Sequence, residues 1–183
     1  MRLPDTWSLR SSACSRRITA RCHLRGRSGP QLADVFSPEH RSRIMSGIRG
    51  KNTRPEIVIR QLLHAAGYRF RLHSAGLPGK PDIVLPRWRA VIQVNGCFWH
   101  GHDCHLFRLP ATRTEFWEAK IAANRARDEI VTDQLHALGW RQGVVWECAL
   151  KGRARLPVPE VSEMLDRWIC SGSARLQIEG TRN

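Results

Sequence analysis

The order of hydrophobic and polar residues predicts helices alternating with strands through the middle of the chain. Thr53-Arg54-Pro55-Glu56 has the form of a capping box, which predicts a helix that continues to about Ala66 and stops at Gly67. β-branched and aromatic runs bounded by turn residues predict the strands that follow. These strands are Tyr68–Leu72, Ile83–Leu85 and Ala90–Asn95.

The second half of the chain predicts one long helix, a strand and a closing helix. Thr112-Arg113-Thr114-Glu115 has the form of another capping box, and the helix it opens is expected to close at Gly139. Spacings of three and four residues predict an inward stripe on this helix. The stripe comprises Trp117, Ile121, Asn124, Asp128, Val131, Leu135 and Leu138. A strand at Gly143–Trp146 and a helix at Pro159–Trp168 complete the predicted elements.

Two features of this pattern point to a polar site. The turn Pro86–Arg89 is short, so the strands it joins are expected to pair antiparallel and bring Asp82 and Asn95 together near His100. Asp128 interrupts the apolar stripe, and a buried carboxylate is costly unless it is paired. The sequence leaves open whether Asp128 is bonded structurally or belongs to the site.

Composition adds a strongly basic character. Thirty Lys and Arg against 16 Asp and Glu give a net charge of +14, and 26 of these cations are arginine. This balance favours a polyanionic partner, because the planar guanidinium matches phosphate geometry. No apolar run reaches the length of a membrane span or resembles a signal peptide, so no membrane association is expected.

Charge and periodicity also predict three regions. Residues 1–33 are Arg/Ser-rich without a sustained period, which predicts a disordered basic extension, whether a phosphate-binding arm, a start-site artefact or a targeting peptide. Residues 34–170 form the predicted domain, and residues 171–183 are expected to be a flexible tail. Six cysteines, three of them close together, fit a reducing compartment better than a disulfide framework.

The segment Asn95–Cys104 concentrates candidate metal ligands. Cys97, His102 and Cys104 have a Cys-x4-His-x-Cys spacing that suits one tetrahedral zinc ion, and Cys148 is the best candidate for the fourth ligand. The alternative is a set of buried thiols beside surface histidines. A metal at this position would stiffen the loop that carries Phe98, Trp99 and His100, although the two aromatics could equally pack in the core.

Phosphodiester hydrolysis needs a metal that neutralises charge and a base that activates water. Asp82 offers a hard oxygen ligand for magnesium, and His100 is a candidate base because an imidazole can accept a proton near neutral pH. Glu56 and Asp128 are candidates to hold metal-bound waters. Each has a structural alternative: Glu56 completes a capping box, Asp82 can cap a turn, and His100 can be a spare zinc ligand.

Four segments resemble motifs of the very-short-patch repair (Vsr) family of DNA mismatch endonucleases. They are Leu77–Asp82, Gly96–His100, Pro110–Trp117 and Val145–Leu150. The resemblance runs in order from about Ser37 to Cys170. It implies a restriction-endonuclease-like α/β fold with three layers, in which helices flank a central mixed sheet, together with a structural zinc site.

The resemblance also implies an activity and roles for individual residues. The family nicks one DNA strand beside a thymine mispaired with guanine, which arises from deamination of 5-methylcytosine. Asp82 and the main-chain carbonyl of Val94 would bind magnesium, His100 would be the general base, and Glu56 and Asp128 would support it. The implied zinc ligands are Cys97, His102, Cys104 and Cys148. The implied DNA-binding residues, several of them a wedge beside the mismatch, are Met45, Phe98, Trp99, Trp117, Lys120 and Asn124.

This chain departs from related nucleases at Gln93 and Asn95. Restriction-like nucleases usually carry a carboxylate and a lysine there, and asparagine can hydrogen-bond but carries no charge. Asn95 therefore leaves two alternatives open: a zinc-stabilised DNA-binding protein with decayed catalysis, or a restriction-like nuclease of other specificity. The expected context is a monomer acting on duplex DNA in the bacterial cytoplasm, at the nucleoid, with mismatch-repair proteins as candidate partners.

Overall fold

A mixed five-stranded sheet forms the centre of the computed structural model, which describes Arg43 and residues 50–181. The strands lie side by side in chain order. Antiparallel pairing joins β1 to β2 and β2 to β3, whereas β4 and β5 continue the sheet in parallel. The strands are β1 (Arg71–Leu72), β2 (Ile83–Leu85), β3 (Ala90–Asn95), β4 (Arg141–Trp146) and β5 (Arg175–Ile178).

Four described α-helices accompany the sheet. They are α1 (Arg54–Ala65), α2 (Thr114–Ala137), α3 (Glu147–Leu150) and α4 (Val158–Ser171), and a short 3-10 helix occupies Pro86–Trp88. None of these helices is long and apolar enough to cross a membrane.

The two faces of the sheet bury different side chains. Ile83 and Leu85 of β2 belong to a large core that includes Ile59 of α1 and Leu165 of α4. Val84, between them, points into a smaller core with residues of α2. This alternation follows from the two-residue period of a strand. Helices therefore cover both faces, and the predicted three-layer α/β fold is confirmed.

The capping box of α1 and the β2–β3 hairpin are present as predicted. The Thr53 side chain accepts the Glu56 backbone N–H while the Glu56 carboxylate accepts that of Thr53, so the first capping box is present. β2 and β3 pair antiparallel with Ile83 opposite Ile92. The start of β2 consequently lies beside the end of β3, as the short turn predicted. The strand predicted from Tyr68 is shorter, because Tyr68 is buried outside the sheet and its hydroxyl donates to Asp166 at 2.5 Å.

The second predicted capping box is wrong. Helix α2 begins at Thr114, and the residue before it, Arg113, has a left-handed backbone (φ 54°) without a side-chain cap. A capping residue normally has an extended backbone, so the chain enters this helix through a turn instead. The far end of the predicted stripe is also wrong, because Leu138 lies after the helix and is 50% exposed.

The prediction that residues 171–183 form a flexible tail is also wrong for residues 175–178. Arg175–Ile178 forms β5, which pairs in parallel with β4, and Ile178 is fully buried. The alternating pattern Leu176–Ile178 is too short to stand out in the sequence, but the open edge of β4 supplies the hydrogen-bonding partner. Helix α4 is also longer than predicted at both ends, and β4 begins two residues earlier than Gly143.

Several predictions fall outside the described residues. The basic extension of residues 1–33, with Cys14 and Cys22, is among them. The predicted wedge residue Met45 is another.

Candidate active site and metal centre

Asp82 lies immediately before β2, and the hairpin aims its carboxylate at the end of β3. The backbone N–H of Val94 donates to its Oδ2 at 2.9 Å, and the Nδ1 atom of His73 lies 4.0 Å from its Oδ1. The Asp82 side chain is 23% exposed. The start of β2 therefore lies beside the end of β3, as predicted, and the backbone of Val94 holds the Asp82 carboxylate in place.

Opposing influences act on the Asp82 carboxyl. Partial burial raises its pKa, and the hydrogen bond from Val94 lowers it. The nearby Glu56 carboxylate raises the pKa further, whereas His73 and Arg60 lower it, and the net direction is upward. A bound cation favours the ionised form of such a carboxyl, so this position suits a hard metal ion.

Glu56 is buried and fully engaged. Its Oε1 accepts from the Thr53 hydroxyl at 2.9 Å, and its Oε2 accepts from the backbone N–H of Asn52 at 3.0 Å and from Arg60 Nη2 at 2.6 Å. The capping function of Glu56 is thus confirmed. Its predicted support of metal-bound waters stays a prediction.

One cavity of about 630 Å³ brings the predicted catalytic residues together. Its lining includes Glu56, Asp82, Val94, Asn95, His100 and Asp128. Lys80 and Arg127 add two cations to the same wall. Residues that are separated by up to 72 positions in the sequence therefore share one opening, where a phosphate and a hydrated cation have room.

His100 is oriented by α2. Its Nδ1 atom makes a short hydrogen bond with Asp128 Oδ2, and its ring packs edge-on against Trp146 at 6.1 Å. An ionised carboxylate can only accept, so Nδ1 carries the proton and Nε2 keeps a free lone pair. The intrusion of Asp128 into the apolar stripe is explained by this pairing.

Helix α2 also holds the backbone of the loop that carries His100. Asn124 Nδ2 donates to the Trp99 carbonyl at 2.8 Å, and Arg125 donates to the carbonyls of His100 and Gly101. Gly101 has a φ of +58°, and a β-carbon there would lie 2.5 Å from Ile121. Close approach of the loop to the helix therefore requires glycine at this position. Since Asn124 uses its amide inside the protein, its predicted DNA contact stays a prediction.

The four predicted zinc ligands converge on one point. The ligand atoms of Cys97, His102, Cys104 and Cys148 all lie within 4.8 Å of one another, and both Cys97 and Cys148 are almost completely buried. Cys148 arrives from the end of β4, and its backbone N–H donates to Cys97 Sγ at 3.3 Å. Three thiols and one imidazole at such distances suit a tetrahedral metal ion such as zinc.

The surroundings of this cluster support metal binding. Burial raises the pKa values of the Cys97 and Cys148 thiols, hydrogen bonds from backbone N–H groups lower them in part, and the Cys104 thiol raises both, so a metal would have to displace the protons. His102 stacks on Trp146 at 4.1 Å, and its Nε2 lies 3.0 Å from Glu179 Oε2. That carboxylate leaves Nδ1 of His102, 3.6 Å from Cys148 Sγ, available to a metal.

The predicted wedge aromatics form a cluster beside the cavity. The rings of Phe98 and Trp99 are 5.2 Å apart, and Trp117 lies 5.2 Å from Phe98 and 6.1 Å from Trp99. All three are half-buried, so each ring offers part of its surface outward. Lys120 is exposed one turn along α2 from Trp117.

Three residues at these sites were missed by the sequence analysis: His73, Arg60 and Glu179. The sequence predicted the strand ending at Leu72 but not its partner. Pairing it with β2 would have placed His73 opposite Asp82, as the register of Leu72 against Ile83 shows. Glu179 had no signal, because it follows a strand that was taken for a flexible tail.

Comparison with known proteins identifies one family. A family model described as DNA mismatch endonuclease Vsr matches residues 33–106. The DNA mismatch endonuclease Vsr of Escherichia coli K12 is 46% identical over 148 residues, which cover 81% of this chain and 95% of that protein. The type II nicking enzyme V.XorIIP of Xanthomonas oryzae is 55% identical over 119 residues, covering 65% and 88%. The type II nicking enzyme V.NmeAIP of Neisseria meningitidis is 40% identical over 123 residues, covering 67% and 88%.

These similarities cover 88 to 95% of the length of the relatives. The chain therefore belongs to the Vsr family of DNA mismatch endonucleases, and it is a DNA endonuclease.

Proposed function

We propose that this endonuclease nicks one strand of duplex DNA beside a thymine mispaired with guanine, in a magnesium-dependent hydrolysis that begins very-short-patch repair. The main support is the shared cavity, in which a partly buried Asp82 and an oriented His100 face the same space. Aromatic side chains border this space.

His100 is the proposed general base. Because Asp128 holds the proton on Nδ1, Nε2 can take a proton from the attacking water. Asp128 then stabilises the resulting imidazolium, since both nitrogens of the ring are protonated after the transfer. The hydrogen bonds from Arg125 and Asn124 to the loop backbone keep the ring in place during this step.

The residues around Asp82 fit a magnesium site. Asp82 supplies a carboxylate oxygen and Val94 a main-chain carbonyl, and the open cavity leaves room for water ligands, which magnesium retains. When bound, magnesium supplies positive charge that neutralises the phosphodiester. Asp82 meanwhile keeps its orientation through the N–H of Val94.

Lys80 and Arg127 are proposed to hold the phosphate. Both line the cavity, and both are exposed to an approaching DNA backbone. Their positive charges compensate for the lack of a charged side chain at position 95. The amide of Asn95 can still donate a hydrogen bond to a phosphate oxygen.

The cluster of Phe98, Trp99 and Trp117 is the proposed wedge, together with Met45. Inserting rings into a base step costs unstacking energy, which is lower at a mismatch than in matched duplex. Lys120 and Asn124 are proposed to contact DNA beside this wedge. Zinc bound by Cys97, His102, Cys104 and Cys148 would hold the same loop rigid.

The experiment is a strand-mapped cleavage assay on one duplex series, in which each mismatch replaces a single base pair. We expect a single nick on the strand that carries the mispaired thymine, in the presence of magnesium and not with chelator. Equal nicking of matched duplex would replace the proposal with a nuclease of other specificity. Binding without nicking under any divalent metal would favour the DNA-binding protein with decayed catalysis, the alternative that Asn95 keeps open.

The proposal includes action as a monomer on the bacterial nucleoid, in the cytoplasm. Mismatch-repair proteins are candidate recruiting partners. A cross-linking experiment in cells during repair would test the partners.

A further inference from the structure

Two side chains outside the family motifs link the carboxylates of Glu56 and Asp82. Arg60 Nη2 lies 2.6 Å from Glu56 Oε2 and 3.3 Å from His73 Nε2. The other ring nitrogen of His73, Nδ1, lies 4.0 Å from Asp82 Oδ1. Glu56, His73 and Asp82 also form one of the two groups of candidate metal-binding side chains among the described residues.

The hydrogen-bonding capacity of Arg60 decides what His73 can do. A guanidinium only donates, so Nε2 of His73 must be the acceptor, and the neutral ring then carries its proton on Nδ1. A protonated Nδ1 cannot bind a metal ion, but it carries the positive end of an N–H dipole close to the Asp82 carboxylate. The 4.0 Å separation is an ion-pair distance rather than a hydrogen bond, so the N–H acts on Asp82 electrostatically.

Backbone strain is concentrated around the same contacts. Five described non-glycine residues have a positive φ. Three of them belong to these contacts or adjoin them: Asn52 (57°) and His73 (46°), which both contact Arg60, and Lys80 (49°), two residues before Asp82. Asn52 accepts from Arg60 Nη1 at 2.6 Å, and the backbone N–H of His73 donates to the Asp82 carbonyl at 3.3 Å. Such conformations persist when their surroundings fix them, and they are enriched at functional sites.

We propose that His73 is a positioning residue of the metal site, held by Arg60 so that its Nδ1–H orients the Asp82 carboxylate for the cation. The inference deepens the proposed function and rests on its assignment of Asp82 as a metal ligand. Its physical basis is that polar groups outside the metal's own ligands orient the carboxylates that bind metal ions, and here His73 acts on Asp82 through its N–H dipole. Val94 fixes one oxygen of Asp82, and His73 faces the other.

The test compares two substitutions that differ in one donor. In His73→Asn, the amide nitrogen takes the place of Nδ1, and asparagine tolerates a positive φ. In His73→Gly, the donor is lost while the backbone conformation becomes easier to adopt. Zinc-loaded, full-length protein without DNA is titrated with Mn²⁺ as the probe, and free Mn²⁺ is measured by electron paramagnetic resonance. Asp82→Asn serves as the variant without the site.

We expect His73→Gly to weaken Mn²⁺ binding by about 10- to 100-fold, the usual effect of removing an outer-shell group, and His73→Asn to weaken it clearly less, because asparagine keeps the N–H beside Asp82 and loses only the contact with Arg60. Both should melt near the wild-type temperature. Wild-type affinity in His73→Gly, or equal losses in both variants, would overturn the inference. If His73→Gly does not fold, Arg60→Lys decides, because lysine keeps a cation for Glu56 but cannot also hold the ring. Unchanged Mn²⁺ affinity in Arg60→Lys would then refute it.

This readout separates the inference from the proposed function. Mn²⁺ affinity is measured without DNA, so the pattern can appear in a protein that does not nick T:G mismatches, in which case the proposed function alone fails. Conversely, if the protein nicks T:G mismatches specifically but the His73 variants bind Mn²⁺ normally, the role of His73 is refuted and the proposed function stands.

Discussion

The two candidate metal sites of this protein are built in opposite ways. Three of the four ligands in the Cys/His cluster come from one loop of eight residues, Cys97–Cys104, and the fourth follows the adjacent strand β4. The carboxylate cavity instead draws Glu56, Asp82, His100 and Asp128 from four separate segments. One site is a local sequence pattern, whereas the other exists only after the sheet and helices have assembled.

Their chemistry differs accordingly. Two ligands of the cluster are buried and two are half-buried, its donors are mostly soft, and all four ligand atoms lie within 4.8 Å of one another, so it suits a metal that stabilises the fold. The cavity is open, its donors are hard, and its remaining space is lined by cations and an imidazole. Trp146 lies between them, stacked on His102 and edge-on to His100. The rigid cluster therefore supports one wall of the open cavity.

Removing the carboxylate at the centre of the cavity should have the largest effect on activity. We expect Asp82→Ala to reduce nicking below detection while leaving DNA affinity nearly unchanged, because the metal ligand is lost but the basic surface remains. Cleavage of labelled mismatched duplex and gel-shift titration of the same duplex measure the two properties. Glu163→Ala, which removes an exposed carboxylate paired only with Arg167 on the surface of α4, is the control. A parallel loss of binding would contradict the assignment.

Removing a cluster ligand should damage the fold rather than the chemistry. We expect Cys148→Ser to release the bound metal and to destabilise the protein by at least about 1–3 kcal/mol, because a buried hydroxyl replaces a ligand without a matched partner. Metal analysis and thermal melting measure the change. Cys170→Ser is the matched control, since Cys170 is exposed and lies outside the cluster. Unchanged metal content in Cys148→Ser would refute this ligand.

Replacing the proposed base, His100, should slow nicking less than replacing the proposed metal ligand, Asp82. We expect His100→Ala to slow single-turnover nicking by about 10²–10⁴-fold, the usual contribution of a general base. Asp128→Asn should cause a smaller loss, because the amide can present its oxygen to Nδ1–H but cannot stabilise the imidazolium. Near-normal rates in His100→Ala would reassign the base, and an Asp128→Asn rate below that of His100→Ala would contradict the proposed order.

The contrast between the sites also explains what the sequence could predict. The ligand cluster, the first capping box and the β2–β3 hairpin depend on residues close in sequence, and each is present as predicted. Asp128 could be singled out because a carboxylate in an apolar stripe requires a partner, but that partner had to come from the fold. His73 and β5 depend on pairing at the sheet's edges, where two or four residues carry too little pattern to reveal a strand. The start of α2 was mispredicted because the left-handed Arg113 leaves no signature in a short motif.

The smallest expected effect is the pH dependence of stability that Asp82 adds in the absence of magnesium. Its pKa is raised in the folded protein, chiefly by burial, so the folded state binds this proton more tightly than the unfolded state. The resulting stabilisation is fully present below the ordinary aspartate pKa of about 4 and is lost as the pH rises through the raised value.

Urea unfolding of zinc-loaded wild type and Asp82→Asn at a series of pH values should therefore show a difference in the free energy of unfolding that shifts in favour of the variant as the pH increases. A magnesium-saturated series should reverse this trend in the wild type, because the cation binds the ionised carboxylate, whereas no cluster residue needs to respond. Parallel curves for the two proteins would show that the Asp82 carboxyl is not destabilised in its ionised form, and the cavity would then lack the unfavourable charge that a bound cation is expected to relieve.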